Sequence, residues 1–165
     1  MVFKLSIKKM LKPIIRLSVV VFIVFLVGFL YAGGYNESLL PGFIIIICIP
    51  VLPTIYLLVE YFIATRNQTI KIENNVITVI YKNGDSDIYH IENLKCIKLY
   101  KSAGMEKGRV PYQTAEMYYH AEIITNDDKK IIITSVINPS IEEALSMIKG
   151  INIEVKRTIY STIYI

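Results

Sequence analysis

Tryptophan is absent from this chain, and histidine and cysteine occur only twice each. Cys48 lies inside an apolar stretch and Cys96 far beyond it, so the chain offers neither a disulfide framework nor a thiolate zinc site. Both cysteines read as small apolar residues. His90 and His120 have no carboxylate and cysteine set at ligand spacing around them, which argues against a metal centre. Both are expected as ordinary strand residues on a half-exposed face. No G-x-S-x-G, phosphate loop or dinucleotide fingerprint is present. Asp127-Asp128 sits where a turn is expected and not as an acid/base pair. No catalytic residue, metal or cofactor is predicted, and the chain is read as non-enzymatic.

Acidic residues are also missing where it matters. Between Met1 and Thr65 the only acids are Glu37 and Glu60, whereas Lys4, Lys8, Lys9, Lys12 and Arg16 crowd the start. From Arg66 onward 13 Lys/Arg face 12 Asp/Glu, so the net charge of +4 is an N-terminal property and no basic stripe for nucleic acid exists.

What is abundant is apolar length. The chain is 53% hydrophobic with a mean hydropathy of +0.47. Two runs dominate, 14–32 and 39–64, separated by Gly33-Gly34-Tyr35-Asn36-Glu37-Ser38. Each is near the roughly 20 residues a bilayer core demands. A transmembrane hairpin follows, and the flanking cations place both termini in the cytoplasm, with the chain in the inner (cytoplasmic) membrane. A signal peptide fits less well, because the first run is too long and Leu30 stands where a cleavage site wants a small residue. Residues 1–13 form a basic lead-in, with Pro13 suited to a first helical turn. Gly28 and Ala32 offer a small-xxx-small face for packing on the second helix. Pro50 and Pro53 fall inside the second run and are expected to kink it. Glu60 is expected near the interface.

From Gln68 the texture becomes β, and residues 66–165 read as one cytoplasmic domain tethered to the membrane. Thr69–Glu73 alternates and Asn74-Asn75 offers a turn. Val76–Lys82 is β-branched, and Asn83-Gly84 is a strong hairpin signal. Ser86–His90, Leu94–Lys101, Tyr118–Thr125 and Lys130–Val136 complete the strands. Ile141, Ala144, Leu145 and Ile148 then share one helical face, started by Pro139 or by a Ser140/Glu143 capping box and ended by Gly150. Beyond it, Ile151 to Ile165 alternates again as an extra C-terminal strand that bends or divides.

Two apolar spans, a meander of short strands and one amphipathic helix resemble the bacterial pleckstrin-homology-like (PH-like) membrane proteins. The likeness rests on NQTIKIENNVITVIYKNGDSDIYHIENLKCIKLYKS and YYHAEIITNDDKKIIITSVINPSIEEAL. It implies an α+β fold, a partly open antiparallel barrel capped by the helix, and a binding role. No lipid-binding residue set carries over from the family.

Candidate contacts come from the residues themselves. Lys95, Lys98, Lys101, Lys107 and Arg109 form a basic region that could meet anionic headgroups, each cation near the leaflet being worth about 1 kcal/mol. Tyr112, Tyr118 and Tyr119 supply rings suited to an interface, or to core filling. The expected function is a membrane-anchored scaffold that holds a protein partner or a second copy through a sheet edge and the tyrosine loop. Headgroup recognition by Lys95–Arg109 is the alternative. A pore or transporter accessory role is a further alternative, opposed by the scarcity of polar residues in both spans.

Overall fold

A computed structural model describes residues 2–5, 7–31, 40–102, 105, 114–137 and 140–163. Strand β1 (Val2–Phe3) comes first, followed by helices α1 (Ile7–Tyr31) and α2 (Leu40–Thr65). Strands β2 (Gln68–Glu73), β3 (Val76–Tyr81), β4 (Ser86–His90), β5 (Leu94–Ser102), β6 (His120–Thr125) and β7 (Lys130–Thr134) come next. Helix α3 (Ile141–Leu145) and strand β8 (Ile153–Thr158) close the order, and 3-10 turns occupy Ile91–Asn93 and Thr114–Met117. The result is an α+β fold of two four-stranded sheets, β1-β2-β3-β4 and β7-β6-β5-β8. The sheets form an open arrangement and not a closed barrel.

Both long helices are apolar enough to cross a membrane. α1 starts at Ile7, so the basic lead-in is helical and Pro13 lies inside the helix, not in its first turn. α2 runs through Pro50 and Pro53 without interruption, and the Thr54 hydroxyl donates to the Pro50 carbonyl at 2.7 Å. A Cβ on Gly28 would overlap the Phe43 ring, so this glycine permits close approach of the two helices. Ala32 and the 33–38 connection lie outside the described residues.

In β2 and β3 the core-facing residues Ile70, Ile72, Ile77 and Val79 alternate with half-buried or exposed ones. Ile70, Ile72, Ile77 and Val79 from one sheet meet Ile97, Leu99, Ala121, Ile123, Ile131 and Ile133 from the other, with Ile141, Ala144, Leu145 and Ile148 laid over them. Asn74 and Asn75, at φ 48° and 63°, make the two-residue turn that fixes the β2–β3 register. The expected Ser140 side-chain cap is not formed. Instead the Tyr119 hydroxyl accepts the Ile141 N–H at 3.3 Å and donates to Glu142 at 3.2 Å.

Two features depart from a tethered domain. Phe3 and Val2 pair with Ile70 and Lys71, so the chain's first residues belong to the sheet, and the helical hairpin is inserted between β1 and β2. The last turns of α2 are also part of the domain. Leu57 and Tyr61 form a second core with Tyr118, Val136 and Ile163 on the outer face of the β5–β8 sheet. Strand β6 is therefore buried on both faces. The C-terminal strand is shorter than its sequence alternation and runs parallel to β5, Ile97 facing Ile153 through Ser102 facing Thr158.

Candidate functional site at the helix–domain junction

Three cations meet where the helices enter the domain. Lys4 follows β1, Arg66 follows α2 and Lys82 follows β3, and antiparallel pairing of these strands brings the three ends together. The Lys82 N–H donates to the Asn67 carbonyl at 2.9 Å, which locks the β3 end to the α2–β2 link. The resulting cleft holds about 330 Å³ and is lined by Lys4, Leu5, Arg66, Asn67, Gln68, Thr69, Ile80, Tyr81 and Lys82. Among the described residues no carboxylate lines it. Lys4, Arg66 and Lys82 are all exposed, and none has an ion-pair partner among the described residues. Such a cleft offers three cations and the Asn67 amide, with Leu5 and Ile80 among its lining, the chemistry that holds a phosphate-sized anion.

Beside it lies a buried polar network that ties α2 to the sheet and the tail. The Tyr61 hydroxyl donates to the Ser161 carbonyl at 2.5 Å, and the Ser161 hydroxyl donates to the Tyr100 carbonyl at 2.9 Å. With those protons spent, the His120 Nδ1–H is the donor to Ser161 Oγ, 2.8 Å away. His120 stacks on Tyr100 at 4.6 Å and meets Tyr61 edge-on at 5.8 Å. Its Nε2 is buried with no hydrogen-bond partner among the described residues. Burial holds the imidazole pKa down at about 4, with the Glu122 charge and the Ser161 bond opposing in part. The same exclusion of water pushes the Tyr118 hydroxyl up to about 12. His120 is thus neutral and structural, not half-exposed as expected, because α2 covers its face of the sheet. His90 does remain on the surface.

Of the basic residues singled out in the sequence, Lys95, Lys98 and Lys101 are described, and each stands by an acidic residue. Lys95 pairs with Asp128 at 2.9 Å, and Lys101 pairs with Glu142. Lys98 stands between Glu122 and Glu154 in the strand registers. Tyr118 and Tyr119 are buried in the two cores, 2% and 4% exposed, so neither ring is available to a partner. Their alternative reading, core filling, describes them. Lys107, Arg109 and Tyr112 lie outside the described residues. Glu60 is buried at the junction near Ile163. Among the described residues no group of His, Cys, Asp and Glu could hold a metal. Lys4, Arg66 and Lys82 were not legible as a set, since only long-range strand pairing unites them.

Comparison with known families matches residues 2–142 to a family model described as a PH domain. The match includes β1, both helices, every strand through β7 and the start of α3, and ends before β8. Comparisons with curated proteins and with solved structures gave no match.

Proposed function

Because the chain belongs to the PH domain family, a family of binding and scaffold modules, we propose that it is a non-enzymatic module fixed to the inner face of the cytoplasmic membrane by the α1–α2 hairpin. Its ligand there is an anionic headgroup held by Lys4, Arg66 and Lys82. The observation that carries this reading is the position of that cleft. It opens on the domain side of the hairpin, beside the start of α1 and the end of α2, roughly 10 Å of helix from the apolar span that begins at Ile14, a distance the headgroup layer reaches. The basic first turns of α1, with Lys8, Lys9 and Lys12, start from the same level, and the cation excess selects the cytoplasmic side. A cleft already confined to the surface needs little intrinsic affinity, because its ligand is present at high effective concentration.

The test uses the full chain in detergent, titrated with dihexanoyl phosphatidylglycerol and with dihexanoyl phosphatidylcholine at low and high salt. Binding of the anionic lipid alone, weakened by salt, is expected. Arg66→Glu or Lys82→Glu each reverses one charge, a change of about 2 kcal/mol at about 1 kcal/mol per elementary charge, and should weaken binding more than tenfold. Equal binding of both lipids, or indifference to these substitutions, would overturn the reading.

A further inference from the structure

The last turns of α2 present two different faces. Leu57, Glu60 and Tyr61 are buried on the side that meets the domain. Ile45, Ile49, Leu52, Tyr56, Val59 and Ile63 instead form one exposed stripe, each three or four residues from the next. The stripe stays apolar, with one tyrosine, from the first half of the helix to its last turn, and Val59 and Ile63 are still 50% and 47% exposed. An apolar surface that continues without a break belongs against hydrocarbon along its whole length. Bilayer and domain therefore share the stretch from Leu57 to Ile63, one on each side of the helix.

The domain side shows which part of the fold reaches that level. Leu57 lies about 12 Å of helix inside the span that ends at Thr65. On α1, Arg16 donates to the Met117 sulfur at 3.2 Å and Leu17 is buried, both past the start of the span at Ile14. Met117 ends the 3-10 turn Thr114–Met117, which stands just before β6, at the end of the sheet where β5 and β8 finish. There Ser102 faces Thr158, and the Ser102 hydroxyl donates to the Glu116 carbonyl at 3.2 Å. The next residue, Ile159, is 82% exposed.

We infer that this end of the sheet, carrying Met117 and Ile159, is immersed in the headgroup–acyl boundary of the membrane that holds α1 and α2. The contact is separate from the basic cleft, and it rests on the membrane reading but not on headgroup recognition. Lipid is the occupant because the exposed stripe of α2 brings hydrocarbon down to the same level. The length of helix agrees. Past the domain contact, α1 runs from Ser18 to Tyr31 and α2 back from Tyr56 to Leu40, about 21 and 25 Å, against a hydrocarbon core of about 30 Å. Arg16 and Glu116, charged residues at this level, set the depth at the boundary and not within the core.

The absence of tryptophan supplies the probe. The full chain carrying Ile159→Trp or Met117→Trp is reconstituted in phosphatidylcholine vesicles, a neutral lipid that leaves the basic cleft unengaged. The lipid carries a nitroxide near the top of the acyl chain or at its middle. Phe25→Trp, on the exposed surface of α1, reports the span, and Lys129→Trp, in the turn at the far end of β6, reports water. Ile159→Trp should be quenched several-fold more than Lys129→Trp, and more by the shallow nitroxide than by the deep one. Met117→Trp, held against α1, should behave alike, which excludes a ring at position 159 seeking the interface by itself. Quenching of Phe25→Trp with either junction probe no better quenched than Lys129→Trp would keep the hairpin in the membrane and overturn the inference alone. Failure to quench Phe25→Trp would overturn the membrane reading and the inference with it.

Discussion

A neutral, buried His120 makes stability depend on pH in a calculable way. Its Nδ1–H serves Ser161, and its Nε2 has no acceptor to meet an added proton among the described residues. The folded imidazole has a pKa of about 4 against 6.5 when unfolded. The unfolded chain therefore binds the proton first as pH falls, and folded-state stability declines. The contribution is fully present above pH 6.5 and lost progressively down to about pH 4, where it levels off. A displacement of that size corresponds to about 3 kcal/mol. For a chain of this length that is a fall in Tm of roughly 6–12 °C. The comparison is His120→Asn, whose amide can still donate to Ser161 but cannot titrate. It will be less stable at neutral pH because the ring stacked on Tyr100 is gone. The informative quantity is the difference in slope, since the carboxylates titrate alike in both proteins. Thermal unfolding of the full chain in detergent, from neutral pH to pH 4, should show the wild type losing the extra increment and the variant not. Parallel curves would refute the neutral, Nδ1-protonated imidazole.

Two further outcomes follow from the same packing. Ser161→Ala removes the hydroxyl that links Tyr100 and His120 but keeps the carbonyl that Tyr61 reaches, and should cost about 1–3 kcal/mol; faster amide exchange confined to the 159–163 tail and the end of α2 would show it, and unchanged exchange would count against the network. Gly28→Leu drives a side chain into Phe43 and should separate the helices, while Phe43→Ala in the same chain should recover part of the loss. Hydrogen exchange at Val2 and Phe3 reads this at a distance.

Much of the architecture was legible because it rests on local chemistry. Asn74-Asn75 and Asn83-Gly84 announce their turns, alternation marks most of the strands, and the length of the two runs marks both helices. What escaped depends on partners remote in sequence. Two residues carry no periodicity, so Val2–Phe3 could not be told from a basic lead-in. His120 and Glu122 look like solvent-facing strand residues until α2, some 60 positions earlier, is found lying over His120. The tail shows its strand character plainly, yet nothing in Ile153–Thr158 specifies parallel pairing with β5. The cleft cations suffered the same fate: Lys4, Arg66 and Lys82 each end a different element, and the sheet alone makes them neighbours.

The place of the hairpin in the fold constrains how the domain can sit. Residues 4–67 are in effect a loop between β1 and β2. Closing a flexible loop of about 64 residues would cost on the order of 4 kcal/mol. A two-residue strand, even with Phe3 buried, offsets little more than that. β1 can therefore persist only if the hairpin is already ordered, its two helices held together by packing such as Gly28 on Phe43 near their connected ends. Leu5 adds a second tie, because it packs against both cores. The helices and the sheets then stabilise one another, and the domain is held by two rigid connections plus the Tyr61–Ser161 strap. A module fixed in this way does not sample orientations as a tethered one does. The basic cleft is held beside the point where the helices enter the domain, so loosening the hairpin should disturb ligand contact.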